Sequence, residues 1–241
     1  MTSEGAAVVL NSEYLRNLEE LYLAGNGVGW NNDGVLEQFA QIPELRRLDL
    51  TYNFIDDEGV QRLVGEGRLS GLEYLNLGKN LMGNGGAHAI AMAGHLDNLE
   101  VLRLHDNYLD TEAVSLLSSA SHLDGLEQLD LSSNDLTPEA ASVLSDGSHF
   151  GCLKRLCLGR TELDENDAED LRESSGFARE VEIEVEGEPL SNRRPREPFF
   201  PDGTPKRGTV CMDEFDISAC STDRRVGTWN HQMERFFVES M

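Results

Sequence analysis

The sequence predicts an α/β repeat array in which short strands alternate with helices. Three observations carry this. A leucine-rich phrase of nine residues recurs six times in phase, each start 27 residues after the last. Within it, apolar and polar residues alternate, the period of a strand with one buried face. The stretch that follows each phrase changes to helical spacing.

The phrases are LEELYLAGN from Leu18, LRRLDLTYN from Leu45, LEYLNLGKN from Leu72, LEVLRLHDN from Leu99, LEQLDLSSN from Leu126 and LKRLCLGRT from Leu153. One further step lands on Glu180, where EVEIEVEGEPL keeps Ile183, Val185 and Leu190 in register. Side chains of a strand alternate, so Leu75 and Leu77 face inward while Tyr74, Asn76 and Gly78 face outward. In the second halves, TEAVSLLSSASHL places Ala113, Val114, Leu117 and Ala120 on one helical face. The same columns recur as Gly59, Val60 and Leu63, as Gly86, Ala87 and Ile90, and as Ala140, Ala141 and Leu144. Small residues in the first column allow a helix to approach the sheet closely. Helix starts are marked by Thr137 as an N-cap with Pro138 at the first helical position. Asp56, Asp110 and Asp164 take the place of Thr137 in other repeats, where acids complement the backbone dipole. Strands stack about 4.8 Å apart and helices need roughly 8–10 Å. The array must therefore bend with its strands inside.

The pattern LxxLxLxxNxL resembles the leucine-rich repeat, and the 27-residue step with helical second halves is similar to the ribonuclease-inhibitor-like subfamily. The resemblance covers residues 1–190. It implies an α/β solenoid, a horseshoe with parallel strands on the concave face and helices on the convex face. It also implies a non-enzymatic module that binds a protein partner on the concave face.

A polar column interrupts the apolar pattern: Asn26, Asn53, Asn80, Asn107 and Asn134. Where the chain leaves the strand, peptide groups lose their ladder partners, and an amide offers them both donor and acceptor. The column is expected to form a structural asparagine ladder. It fails at Thr161 and Glu188, as in repeats degrading toward a C-terminal cap.

Three segments are expected: a repeat domain over 1–190, a linker over 191–205 and a C-terminal tail or cap over 206–241. The repeat domain holds six full repeats from Leu18 and partial ones at both ends. Residues 3–18 align with 57–72, so the chain opens on the helix of a repeat whose strand is absent. The strand from residue 20 is then expected to have an unpaired edge, as in a fragment of a longer array, with a capping helix or end-to-end dimerisation as the alternatives. Five of the seven prolines fall in 189–205, an extended composition. Beyond it, VCMDEFDI reads as a short strand. Trp229, Met233, Phe236 and Phe237 would share one face of a short amphipathic helix, expected to cover an open end of the solenoid, with a partner-docking helix or a disordered tail as the alternatives.

Acids number 44 and bases 20, a formal net charge of −24. Residues 191–241 hold eight of each, so the excess lies in 1–190. Such a body disfavours nucleic acid and anionic membrane and suits a basic protein partner. No run of about 18 apolar residues offers a membrane span. The start lacks a basic n-region, and Cys152, Cys157, Cys211 and Cys220 show no CxxC spacing. These features point to reduced thiols in the cytoplasm.

No catalytic constellation, cofactor motif or metal set emerges. NGVGWNND and GNGGAHAIAMAG lack the P-loop Lys-Ser/Thr and the GxGxxG spacing, and read as turns. His95, His122 and His149 lie one repeat apart, a repeated surface position. The outward strand positions vary instead, and Tyr22, Arg47, Asp49, Tyr74, Asn76, Arg103, His105 and Asp130 are the candidate partner contacts. Aromatic and Arg side chains most often anchor interfaces. Two alternatives stand beside this reading. One is a GTPase-activating regulator resembling Ran GTPase-activating proteins. The other is the sensing or adaptor portion of a larger receptor or ubiquitin-ligase component.

Overall fold

Parallel strands cannot be joined by tight turns, so each needs a return segment before the next. The computed structural model describes residues 10, 17–29, 34–67, 69–146, 149–174, 177, 181–185 and 209–211. Seven strands follow the repeats: β1 (Glu20–Tyr22), β2 (Arg47–Asp49), β3 (Tyr74–Asn76), β4 (Val101–Arg103), β5 (Gln128–Asp130), β6 (Arg155–Cys157) and β7 (Glu182–Glu184). They pair in parallel and in chain order, with partners 27 residues apart, as in Glu20 with Arg47 and Arg155 with Glu182. The fold is an α/β solenoid horseshoe, strands on the concave face and helices on the convex face.

Among the described residues, five α-helices make the returns: α1 (Asp57–Val64), α2 (Asn84–Met92), α3 (Thr111–Ser118), α4 (Glu139–Asp146) and α5 (Glu165–Glu173). The first repeat differs, with a 3₁₀ helix at Leu36–Gln41. Val35, which precedes it, has no side-chain oxygen for the open N–H groups. Between the layers, Leu21, Leu48, Leu75, Leu102, Leu129 and Leu156 are buried, as are Leu23, Leu50, Leu77, Leu104, Leu131 and Leu158. Val60, Leu63, Ala87, Ile90, Val114, Leu117 and Leu144 meet them from the helices. The small column is required at Gly86, where a Cβ would lie 2.2 Å from Met82 Cγ.

Asp56 caps α1 by accepting from Gly59 N at 2.9 Å, and Asp110 caps α3 by accepting from Glu112 N at 2.7 Å. Asp164 and Asp167 form a reciprocal capping box on α5. Thr137 departs from expectation. Helix α4 begins only at Glu139, and the Thr137 hydroxyl donates to the Glu139 carboxylate instead of capping the backbone. Before α2 the cap position is Gly83, which has no side chain to offer. Asp57 reaches over from α1, and its Oδ1 accepts from Gly83 N at 2.7 Å and Gly86 N at 2.8 Å. A Cβ on Gly85 would stand 2.7 Å from that carboxylate. The glycine-rich segment is thus the opening through which one repeat caps the next.

The asparagine column lies at the edge of the core. Oδ1 of Asn80 accepts from Asn53 N at 2.9 Å and Ile55 N at 3.0 Å in the preceding repeat. Its Nδ2 donates to the carbonyls of Leu50, Leu77 and Gly78 at 2.9–3.1 Å. Asn53 makes the same bonds to Asn26 N and Val28 N, and Asn134 to Asn107 N and Leu109 N. Each amide therefore joins two repeats through backbone groups that would otherwise be buried without partners. Thr161 keeps its bonds inside its own repeat, donating to Leu158 O and accepting from Leu163 N.

The edge of β1 is not open, contrary to the sequence expectation. Residues Thr209–Cys211 form β8, parallel to β1, with Leu21 opposite Val210. A bare edge presents a row of unsatisfied N–H and C=O groups, and β8 supplies their partners. The expected linker over 191–205 and the helix around Trp229–Phe237 lie outside the described residues, as do residues 3–16 apart from the buried Leu10.

Candidate functional site

The outward strand positions converge on the middle of the concave face. Pairing in register puts Arg47 beside Tyr74 and Asn76 beside both Asp49 and Arg103. The Arg47 guanidinium carbon sits 4.4 Å from the Tyr74 ring centroid, and that of Arg103 sits 5.5 Å away. Both distances lie within the reach of cation–π attraction. Three central residues fold back on their own strand ends. Asp49 accepts from Thr51 N at 2.9 Å and from its hydroxyl at 2.6 Å, Asn76 accepts from Gly78 N at 3.0 Å, and Asp130 accepts from Ser132 N at 3.1 Å. Asn76 also donates to Asp49 at 3.0 Å, linking β3 to β2.

His105 lies over Gly78 of the preceding repeat, where a Cβ would approach its ring to 2.1 Å. Its Nδ1 is 3.6 Å from Asp130 Oδ2, and the ring is fully buried. Burial holds its pKa below the ordinary imidazole value despite the opposing pull of Asp130 and Asp106. Burial pushes the Tyr22 hydroxyl up to about 12 and raises that of Tyr74 as well. It also raises the Cys157 thiol, helped by Asp130 and Glu184. That thiol is protonated at neutral pH and is no activated nucleophile.

The eight candidate residues do form one contiguous set. Seven of them are buried, and Arg47 is half-buried. The surface between them is completed by the half-buried Glu20, Thr51, Val101, Gln128 and Arg155. Arg155 pairs with Glu182 across the last strands, its Nε 2.9 Å from the carboxylate. Among the described residues, no group of three or more His, Cys, Asp or Glu is placed to hold a metal ion, and no helix is long and apolar enough to cross a membrane.

Sequence reading missed a feature at the strand exit. Tyr52, Lys79, Asp106, Ser133 and Arg160 all have positive φ, between 52° and 58°. Gly25 occupies the same column with φ 72°, and that glycine was the one available signal.

A family model described as Leucine Rich repeat matches residues 43–64 and 126–145. These two stretches are leucine-rich repeats. Each matched stretch runs through a strand and into its helix, from β2 to α1 and from β5 to α4. Among solved structures, an internalin (inlF) of Listeria monocytogenes is 22% identical with a TM-score of 0.42. The comparison covers 63% of this chain and 38% of that one. Internalin C2 (inlC2) of the same organism is 24% identical with a TM-score of 0.47, covering 69% of this chain and 61% of that one. The chain thus spans less than two thirds of either internalin. No curated protein matches the sequence.

Proposed function

We propose that this chain is a non-enzymatic leucine-rich-repeat interaction module whose concave face binds a protein partner in the cytoplasm. The observation that carries the reading is the contrast along the strands. Inward positions repeat leucine, whereas outward positions change type at every step and are fixed by stacking and hydrogen bonds. The fold does not demand Arg47, Tyr74, Arg103 or His105 at those places. A preformed surface loses little conformational freedom when a partner arrives. Buried Tyr74, Arg103, Asp49 and Asp130 position the layer, and Arg47 with Thr51 and Gln128 is what a partner touches. The acidic body favours a basic partner. The 27-residue step and α-helical returns support placement in the ribonuclease-inhibitor-like subfamily.

The test is affinity capture from a cell lysate with the wild type beside an R47A/T51A/Q128A variant. These half-buried positions can be changed while the melting temperature stays within a few degrees. Proteins retained by the wild type and lost with the variant support the concave site. Identical capture by both would refute it.

A further inference from the structure

The position after each ladder asparagine lies on the rim of the horseshoe, where the chain turns from strand to helix. Across five repeats it is Gly27, Phe54, Leu81, Tyr108 and Asp135, and in the sixth, after Thr161, it is Glu162. Three consecutive members are large and apolar, and they are 37%, 45% and 61% exposed. Tyr52 joins them at 45% exposure, its ring centroid 5.8 Å from that of Phe54. Four of the five large exposed apolar side chains among the described residues therefore lie in this one place. The turn does not require them, because Asp135 and Glu162 serve equally well two steps along.

The row is rigid and continuous. Leu81 N donates to Ile55 O, Tyr108 N to Met82 O, Asp135 N to Leu109 O and Glu162 N to Leu136 O, all at 2.9–3.0 Å. Successive turns are thereby bonded to one another, and their side chains stand at the spacing of the sheet, about 4.8 Å per step. The flanks are acidic. The five rim segments 52–58, 79–85, 106–112, 133–139 and 160–166 contain eleven Asp or Glu and two bases, Lys79 and Arg160. Asp110, Glu112, Asp135, Glu139, Glu162 and Asp164 are exposed. An apolar strip of four side chains is small, which suits a linear segment better than a broad globular interface. The surrounding charge repels nucleic acid and anionic lipid.

We propose that this rim, apart from the concave site, docks an extended basic segment of another protein. Apolar side chains of the segment would lie along Tyr52, Phe54, Leu81 and Tyr108, and its Lys or Arg side chains over the acidic flank. The inference stands on the rim alone, so failure of the concave reading leaves it intact.

The test is selection from a phage-displayed library of random twelve-residue peptides on the full chain, read by sequencing. Wild type is run beside L81S/Y108S and beside R47A. Serine is tolerated at the rim because polar residues already occupy that position in later repeats, and circular dichroism checks the variant fold. Expected is at least a tenfold enrichment of peptides mixing Lys or Arg with aliphatic or aromatic residues. That enrichment is lost in L81S/Y108S, kept in R47A and weakened by added salt. Equal enrichment by wild type and L81S/Y108S overturns the proposal. So does enrichment of acidic peptides, absence of enrichment, or loss with R47A in place of the rim variant.

Discussion

Two buried polar columns cross five successive repeats, one at the exits of the strands and one on their outward face. The ladder from Asn26 to Asn134 keeps a single residue type and bonds to backbone. The outward column from Tyr22 to Asp130 changes at every step and bonds largely to side chains and local turns. Backbone groups are identical in every repeat, so a residue that serves them must recur. Side-chain partners need match only their neighbours, so the second column is open to variation. Burial alone does not distinguish a polar column that must recur from one that is free to vary. The identity of its partner does.

The largest expected effect tests the ladder side. Asn80→Leu removes the acceptor for Asn53 N and Ile55 N and the donor to three carbonyls. The two amides left unpaired cost about 1–3 kcal/mol each, so urea unfolding should show a loss of about 2–6 kcal/mol. Asn76→Ala in the outward column should lose roughly half as much, since fewer backbone groups depend on it. Equal losses would erase the distinction between the columns.

Asp57→Ala extends the question to helix caps. Loss of a cap costs about 1–2 kcal/mol. Here the damage should fall on the neighbouring repeat, since Asp57 serves Gly83 and Gly86. Amide exchange should accelerate at the start of α2 more than at the start of α1. Thr161→Asn asks whether the ladder can be prolonged. An amide there would reach Asn134 N and Leu136 N as Asn134 reaches Asn107 N and Leu109 N. A gain of about 1 kcal/mol in unfolding free energy is expected, at the worth of an ordinary hydrogen bond. Lys79→Gly releases a left-handed residue at φ 55°. Relief of strain outweighs the added chain entropy by about 0.5 kcal/mol, visible as a small rise in melting temperature.

The least effect concerns protonation in the outward column. His105 has a depressed pKa in the fold, facing Asp130, Asp106, Lys79 and Arg103. The unfolded chain binds its proton near the ordinary value of about 6.5. Stability from the neutral ring is therefore complete above that pH and falls as acid is added. His105→Gln should flatten the dependence of unfolding midpoint on pH below about 6.5, whereas Asn80→Leu should leave its slope unchanged.

Legibility followed the same division. Strand order, register and the inward leucines were readable because each rests on a step of 27 residues. The cap at Asp57 was not, because the sequence shows an acid at the start of α1 and only the packing shows which helix it serves. The rim residues Phe54, Leu81 and Tyr108 sat in plain view, but periodicity directs attention to what repeats, and they break the repeat. The candidate contacts lie on one face. Their burial was not foreseen, because a strand pattern assigns a face and says nothing of how side chains on that face cover one another.

By itself the sequence determined the repeat, the parallel sheet and the site of the ladder, because short-range periodicity sets which side of a strand meets the core. The tertiary structure alone decided that β8 closes the edge of β1, that one repeat caps the next, and that Arg47 and Arg103 sit over Tyr74. Those contacts join residues 26 or more positions apart in the chain, and their energies depend on distance in space, which no local pattern encodes.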